Sequence, residues 1–445
     1  MQIVMIEPKL SGPHLLSEFH IPRLGLPILG TILKNQGHDV KIFAEEIKSV
    51  DLSEVEKADL VCISAITPTA PQSYQFAQKI KEMKIPVVMG GPHVTFCPEE
   101  ALDFADYVIR YEGEEALPEL VNALEDGNSL GSIHNLSYKN DGRKIHNSIS
   151  SQVLNLDDSP FPDFSLIEGW EKSFVIPIET SRGCPFSCEF CCVHKMFKGV
   201  RFRNIESVVE EIKKLKPRHI FFPDDNFAIN PERTKELLQS IRDNFSKPPL
   251  WSAQVRINTA QDKELLELIR ETHCWRLFIG LESIDPDTLK EYNKQQTLEE
   301  IEEGIYTLHK YGIKIHGMFV VGSDADDLET IPKTVKFAKK TRLESFQLSI
   351  LTPLPGTSLY QRLIKEGRLL YSRWKDWRKF DGLHSVFKSA RFNKTQLENS
   401  LFEGMKNFYS KREIIKSLLR REFTNAMVKI YGRRSVIKIE RANRM

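Results

Sequence analysis

What most constrains this chain is an alternation through its first 360 or so residues. Short apolar runs of strand length recur, each followed by a stretch of helical periodicity. Parallel strands cannot be joined by a tight turn, so each crossover needs a connection about as long as a helix. Such a chain folds as parallel α/β sheets with helices on their faces. In residues 1–150 the apolar runs fall at 3–6, 40–43, 60–64, 86–89 and 107–109. Helical patterns fill 24–36, closed by Gly37, then 72–83 and 117–124.

The first part therefore predicts a Rossmann-like, doubly wound parallel sheet, with ligands at the carboxyl ends of its strands. Small or polar residues gather there: Arg23-Leu24-Gly25, Ser64-Ala65-Ile66-Thr67, Gly90-Gly91-Pro92-His93 and Glu112-Gly113-Glu114. A connector follows. Asn140-Asp141-Gly142-Arg143 reads as a turn between two short strands, and residues 160–164 read as an extended, proline-broken link. From 172 to 360 the alternation resumes, with strands at 174–179, 219–222, 251–256, 276–280, 315–321 and 345–350. Six such units predict a partial (β/α)6 TIM barrel, whose chemistry collects where the strands end. Residues 361–445 read as a helical region. Asn393-Lys394-Thr395 starts one helix, and Trp374, Trp377 and Phe380 are expected against the barrel mouth.

The first barrel strand runs into Ser181-Arg182-Gly183-Cys184-Pro185-Phe186-Ser187-Cys188-Glu189-Phe190-Cys191. Three thiolates in one loop can hold three irons of a cubane 4Fe-4S cluster. With no fourth cysteine at matching spacing, one iron stays open and can chelate an amino and a carboxylate group. The competing reading is a zinc site completed by Cys192 or His194, but zinc sites usually pair their ligands in C-x2-C spacings within a compact finger. Cys192 reads as a small apolar residue, and Cys62, Cys97 and Cys274 are spare thiols with no disulfide framework.

This motif, with its lead-in Thr180-Ser181-Arg182-Gly183 and the aromatic Phe190, resembles the radical S-adenosylmethionine superfamily. The preceding sheet resembles the cobalamin-binding domain of the branch that includes anaerobic ring cyclases and hopanoid C-methylases. The resemblance implies iron–sulfur metal binding by Cys184, Cys188 and Cys191, and reductive cleavage of S-adenosylmethionine to a 5′-deoxyadenosyl radical. It further implies cobalamin-dependent methyltransferase activity on an unactivated carbon. An anaerobic cyclase or other radical rearrangement uses the same parts without net methylation. A methylthiotransferase would need three N-terminal cysteines, and only Cys62 and Cys97 lie there. A cofactor-responsive binding protein is the alternative of another class.

By the same resemblance Phe190 lies near the adenine, flanked by Met318, Phe319 and Val320. Asp224 or Asp225 and Glu282 meet the ammonium or ribose of S-adenosylmethionine, and Arg256 pairs with its carboxylate. Each acidic strand end has a plainer role as a helix N-cap. Ser64 and Thr67 would face the nucleotide tail of cobalamin, and Gly90 and Gly91 would make room for it. The cobalt-ligating D-x-H-x-x-G motif is missing: Gly12 and Ser17 stand at its Asp and Gly positions around His14, and His20 fits no such motif. His14 and His20 read as loop residues.

Charge is balanced, with 62 basic against 61 acidic residues, so no nucleic-acid partner is expected. The expected partners are a small-molecule or lipid substrate and an electron donor such as flavodoxin or ferredoxin. No signal peptide or membrane span is read, and a low-potential iron–sulfur cluster implies a reducing, anaerobic cytoplasm. The last 35 residues hold eleven Lys or Arg and three acidic residues. There Ile414, Ile415, Leu418, Leu419, Phe423, Met427, Val428 and Ile430 follow helical spacing. Such a helix either docks on the barrel with a solvated basic face or lies peripherally on the inner membrane surface.

Overall fold

The computed structural model describes residues 1–10, 12, 21–171 and 175–443. His14, Ser17, His20 and Phe174 lie outside the described residues.

The first sheet has seven strands in the order β2-β1-β3-β4-β5-β6-β7. Its members are β1 (Gln2–Glu7), β2 (Asp39–Ala44), β3 (Leu60–Ser64), β4 (Val87–Gly90), β5 (Tyr107–Ile109), β6 (Leu136–Asn140) and β7 (Arg143–His146). The first five are parallel, and the chain reverses direction between β2-β1 and β3-β4-β5. That reversal opens a crevice above the carboxyl ends of β1 and β3, where doubly wound sheets take ligands. β6 and β7 add an antiparallel hairpin. Its turn holds Asp141 and Gly142 at φ +47° and +76°, the left-handed pair that suits strand twist.

A two-stranded ribbon, β9 (Ser181–Arg182) with β10 (Arg201–Phe202), brackets the cysteine loop. The second large sheet comprises β8 (Val175–Pro177), β11 (His219–Phe222), β12 (Leu250–Val255), β13 (Cys274–Glu282), β14 (Ile315–Val321) and β15 (Ser345–Ile350). All six are parallel, in the order β15-β14-β13-β12-β11-β8. Their outward residues, such as Ile220, Phe222, Ala253, Leu277, Ile279, Phe319 and Leu348, are buried under the crossover helices. Inward residues are more polar: Gln254, Arg256, His316, Gln347 and Ser349.

Beyond β15 the chain first runs irregularly. It then forms helices Lys394–Phe408, Lys411–Leu419 and Phe423–Asn443. The Asn393 side chain accepts from Gln396 N at 2.9 Å, closing a capping box at the expected start. Trp374, Trp377 and Phe380 pack on the first sheet, while two residues further on the Gly382 carbonyl accepts from Ile350 N at the end of β15 at 2.7 Å. The three aromatics join Val4, Ile63, Tyr74 and Met89 in the apolar layer on one face of the first sheet.

Candidate active site

The cysteine loop is gripped from several sides. Gly183 sits at φ +95°, and a side chain there would strike the Gly199 carbonyl, so the loop enters on a residue only glycine can supply. Gly183 N donates to Asp225 Oδ2 at 3.0 Å. The Arg256 guanidinium stacks 4.0 Å above the Phe186 ring, and its Nη2 donates to the Lys294 carbonyl. Asn293 Nδ2 reaches the Ser187 carbonyl at 3.3 Å. Arg362 forks onto Glu189 at 2.8 and 3.2 Å, and Leu359 N donates to the Glu189 carbonyl at 3.0 Å. A loop tied to this many elements keeps its thiols in place before anything binds.

Cys188 is buried, while Cys184 and Cys191 are partly exposed. Burial pushes the Cys184 thiol up and the Cys191 thiol up to about 12, and nearby Cys188 and Asp225 push both in the same direction. Iron reverses this, because a coordinated thiol is deprotonated outright. Among the described residues no three His, Cys, Asp or Glu side chains are placed to hold a single metal ion. A cubane is larger than one ion and needs its thiolates spread around it. Three soft donors in one anchored loop are the donor set for an iron–sulfur cluster.

The other expected residues divide. Asp224 accepts from Thr180 N, Thr180 Oγ1 and Ser181 Oγ at 2.8, 2.6 and 2.7 Å, and burial pushes it up to about 6. It is committed to holding the strand that leads into the loop. Asp225 is half-buried beside the loop. Glu282 closes β13 at φ +60°, where the register with β14 shifts, and Lys294 Nζ donates to it at 2.7 Å. A non-glycine residue in the left-handed region, held by a buried cation, is strain of the kind that collects at functional sites. Phe190 meets Tyr292 edge-on at 5.2 Å and packs in one small cluster with Val320. Met318 and Val320 are half-buried on the inward side of β14. Below Met318, the His316 ring lies tilted against Phe278, centroids 4.8 Å apart, and 2.8 Å from Ser345 Oγ; burial lowers its pKa to about 4.

At the first sheet's edge the residues expected to face cobalamin behave differently from one another. A Cβ on Gly91, at φ +98°, would lie 2.8 Å from the Ala65 carbonyl, so this glycine serves the contact between the β3 and β4 loops. A Cβ on Gly90 meets nothing nearer than 3.9 Å. Ser64 is half-buried beside them. Thr67 is buried, its hydroxyl 3.3 Å from His93 Nδ1. His93 Nε2 lies 3.1 Å from Tyr74 OH, and Glu100 accepts from Tyr74 OH at 2.9 Å and Trp377 Nε1 at 2.8 Å. The segment around Trp377 thus straps this edge of the sheet.

The residues that join the two edges escaped the sequence reading. Arg182, one residue before Gly183, donates to Glu112 at 2.6 Å, Glu114 at 2.8 Å and Glu179 at 2.9 and 3.0 Å. Arg201 reaches Glu112 at 2.8 Å. In sequence Glu112-Gly113-Glu114 reads only as a polar strand end, yet its carboxylates meet Arg182 at the entry to the cysteine loop. The partners lie about 70 residues apart, and no local pattern pairs charges over that span.

A parallel barrel carrying a three-cysteine loop, bolted to the ligand edge of a doubly wound sheet, defines a class of two-cofactor enzymes. The chain belongs to the Radical SAM superfamily, whose family model matches residues 178–338, with a B12 binding domain matched at 16–121. It is 33% identical over 401 residues to an uncharacterized methyltransferase, PH0819, of Pyrococcus horikoshii, covering 85% of this chain and 86% of that one. It is 28% identical over 394 residues to the anaerobic magnesium-protoporphyrin IX monomethyl ester cyclase of Rubrivivax gelatinosus, covering 82% and 70%. In fold it is similar to the radical S-adenosylmethionine methyltransferase TsrM of Kitasatospora setae, solved with cobalamin and a [4Fe-4S] cluster. The TM-score is 0.75 at 16% identity, over 98% of this chain and 99% of that one.

Proposed function

We propose that this chain is a cobalamin-dependent radical S-adenosylmethionine C-methyltransferase acting on an unactivated carbon of a small molecule. The observation that carries the reading is the ion network of Arg182 and Arg201 with Glu112, Glu114 and Glu179. It fixes the cysteine loop against the cofactor edge of the first sheet, so that two reactive centres reach one carbon. Such fixed proximity replaces an improbable encounter with a local one. Bound in these places, the cluster supplies the electron that cleaves S-adenosylmethionine to a 5′-deoxyadenosyl radical, and cobalamin supplies the methyl carrier.

The chain's own residues bind and orient. In this reading Cys184, Cys188 and Cys191 hold the cluster. Asp225 and Glu282 accept hydrogen bonds from S-adenosylmethionine, Arg256 faces its carboxylate, and Phe190, Met318 and Val320 flank its adenine. Ser64, Thr67 and Gly90 border the corrin, and Gly91 shapes their loop. We assign residues 1–150 to the cobalamin domain, 172–360 to the barrel and 361–445 to the helical region. Stacking of the first sheet over the barrel keeps water from the radical. A flavodoxin- or ferredoxin-like donor supplies electrons.

The second reading, a radical cyclisation without net methylation, is favoured by the likeness to the ring cyclase over most of both chains. Anaerobic reconstitution with iron, sulfide and hydroxocobalamin tests the assignment. Four irons and about one corrin per chain after gel filtration are expected. Four irons without corrin would remove cobalt-mediated methylation and leave a cobalt-free radical reaction.

A further inference from the structure

The last two helices are built inside out. The helix Phe423–Asn443 docks on the body of the protein through Ala426, Gly432, Ser435, Val436 and Ile439, mostly small residues. The approach is tight: a Cβ on Gly432 would lie 2.6 Å from the Tyr409 ring. Tyr409 in turn is locked to β15, its OH donating to the Phe346 carbonyl at 2.7 Å. The large apolar residues point the other way. Ile415, Leu418, Leu419, Phe423 and Met427 are 44–79% exposed. Of the twelve large hydrophobic residues exposed among the described residues, these five fall within thirteen positions. Scattered exposed apolar side chains are ordinary, whereas a contiguous patch marks a contact surface.

The rim says which contact. From 411 to 427 the exposed charges are Lys411, Arg412, Arg420 and Arg421, all basic. The two acidic residues are less exposed: Glu413 and Glu422 line a small pocket with Lys339, Arg342, Lys429 and part of Arg420. A second copy of the chain would bring the same cations face to face, which opposes self-association. An anionic bilayer offers acyl chains to the apolar centre and phosphate to the rim. No helix among the described residues is long and apolar enough to cross a membrane, so such contact is peripheral.

We propose that the turn between these helices, residues 415–427, is a docking surface for an anionic lipid membrane. It goes beyond the proposed chemistry and requires no bound cofactor, so it can fail while the methyltransferase reading stands. The test is co-sedimentation of the full chain with vesicles of phosphatidylcholine alone and with phosphatidylglycerol added. Wild type is expected to bind only the anionic vesicles and to be released by high salt. The double variant Leu419→Glu/Phe423→Glu should bind about tenfold more weakly or less. Leu328→Glu, at an exposed apolar residue elsewhere, should bind as wild type does. Matching thermal unfolding of both variants would show the fold intact. Wild type that ignores anionic vesicles, or a double variant that binds them equally, overturns the proposal. So does a dimer in light scattering that the double variant dissolves, since the patch would then be a self-interface.

Discussion

The two sheets are both parallel and both covered by helices, yet their strands are written differently. In the first, consecutive residues of β1 and β3 are apolar and buried on both faces: Ile3, Val4, Met5 and Ile6, then Leu60, Val61, Cys62 and Ile63. Such a sheet has no inside, and a ligand can meet it only at its edge. In the second, the apolar side faces the helices and the inward side carries Gln254, Arg256, His316, Met318, Gln347 and Ser349. A curved sheet has an interior that a ligand can enter. One region presents a cofactor from outside and the other can enclose a reaction, a division of labour that follows from curvature and patterning.

The largest effect expected from breaking this division is at the loop. Cys184→Ala or Cys191→Ala should reduce iron per chain to near zero and abolish turnover, while corrin retention by the first sheet stays near wild type. Loss of corrin together with iron would show that the two regions do not load independently. Next comes the joint. Arg182→Met leaves Glu112, Glu114 and Glu179 close together with one cation fewer, a change that costs about 3–5 kcal/mol for a buried network. Urea unfolding should show it, and a midpoint unchanged from wild type would remove the joint from the account.

The barrel interior should also reveal itself through pH. His316 is neutral when folded because burial lowers its pKa from 6.5 to about 4. The unfolded chain binds its proton first. Its contribution is therefore full above pH 6.5 and is lost as pH falls toward 4, by roughly 3 kcal/mol at about 1.4 kcal/mol per unit. His316→Gln should flatten this part of the profile relative to wild type, and parallel profiles would contradict it. The smallest contrast tests the first sheet's edge. Gly91→Ala forces a conformation essentially reserved for glycine and should cost about 1–3 kcal/mol. Gly90→Ala should leave stability near wild type but weaken corrin binding, because its Cβ enters open space. Equal corrin affinity in the Gly90 variant would move the cofactor away from that residue.

Much of the architecture was legible because strand burial and helix periodicity are local demands. The six barrel units, the hairpin at Asn140-Asp141-Gly142 and the Asn393 cap each announce themselves within a few residues. What failed was partnership at a distance. Trp377 and Phe380 look buried, but nothing in their neighbourhood specifies Tyr74, Met89 and the first sheet as their partners. Arg182 and Glu112 look like ordinary charges until the fold brings them together. Asp224 and Asp225 are adjacent and identical in chemistry, yet one is consumed by Thr180 and Ser181 while the other stands beside the cysteine loop. The apolar spacing of the last helices was plain, but their docking face is the small-residue side, which the spacing of large residues cannot reveal.

The Trp377 strap has a consequence in time. The first sheet is complete at His146, but the residue that closes over its edge is made about 230 positions later. At a synthesis rate of about 5–20 residues per second, that edge stands uncovered on the ribosome for roughly ten to fifty seconds. The order of the gene thus leaves an interval in which the sheet is folded but not yet fastened.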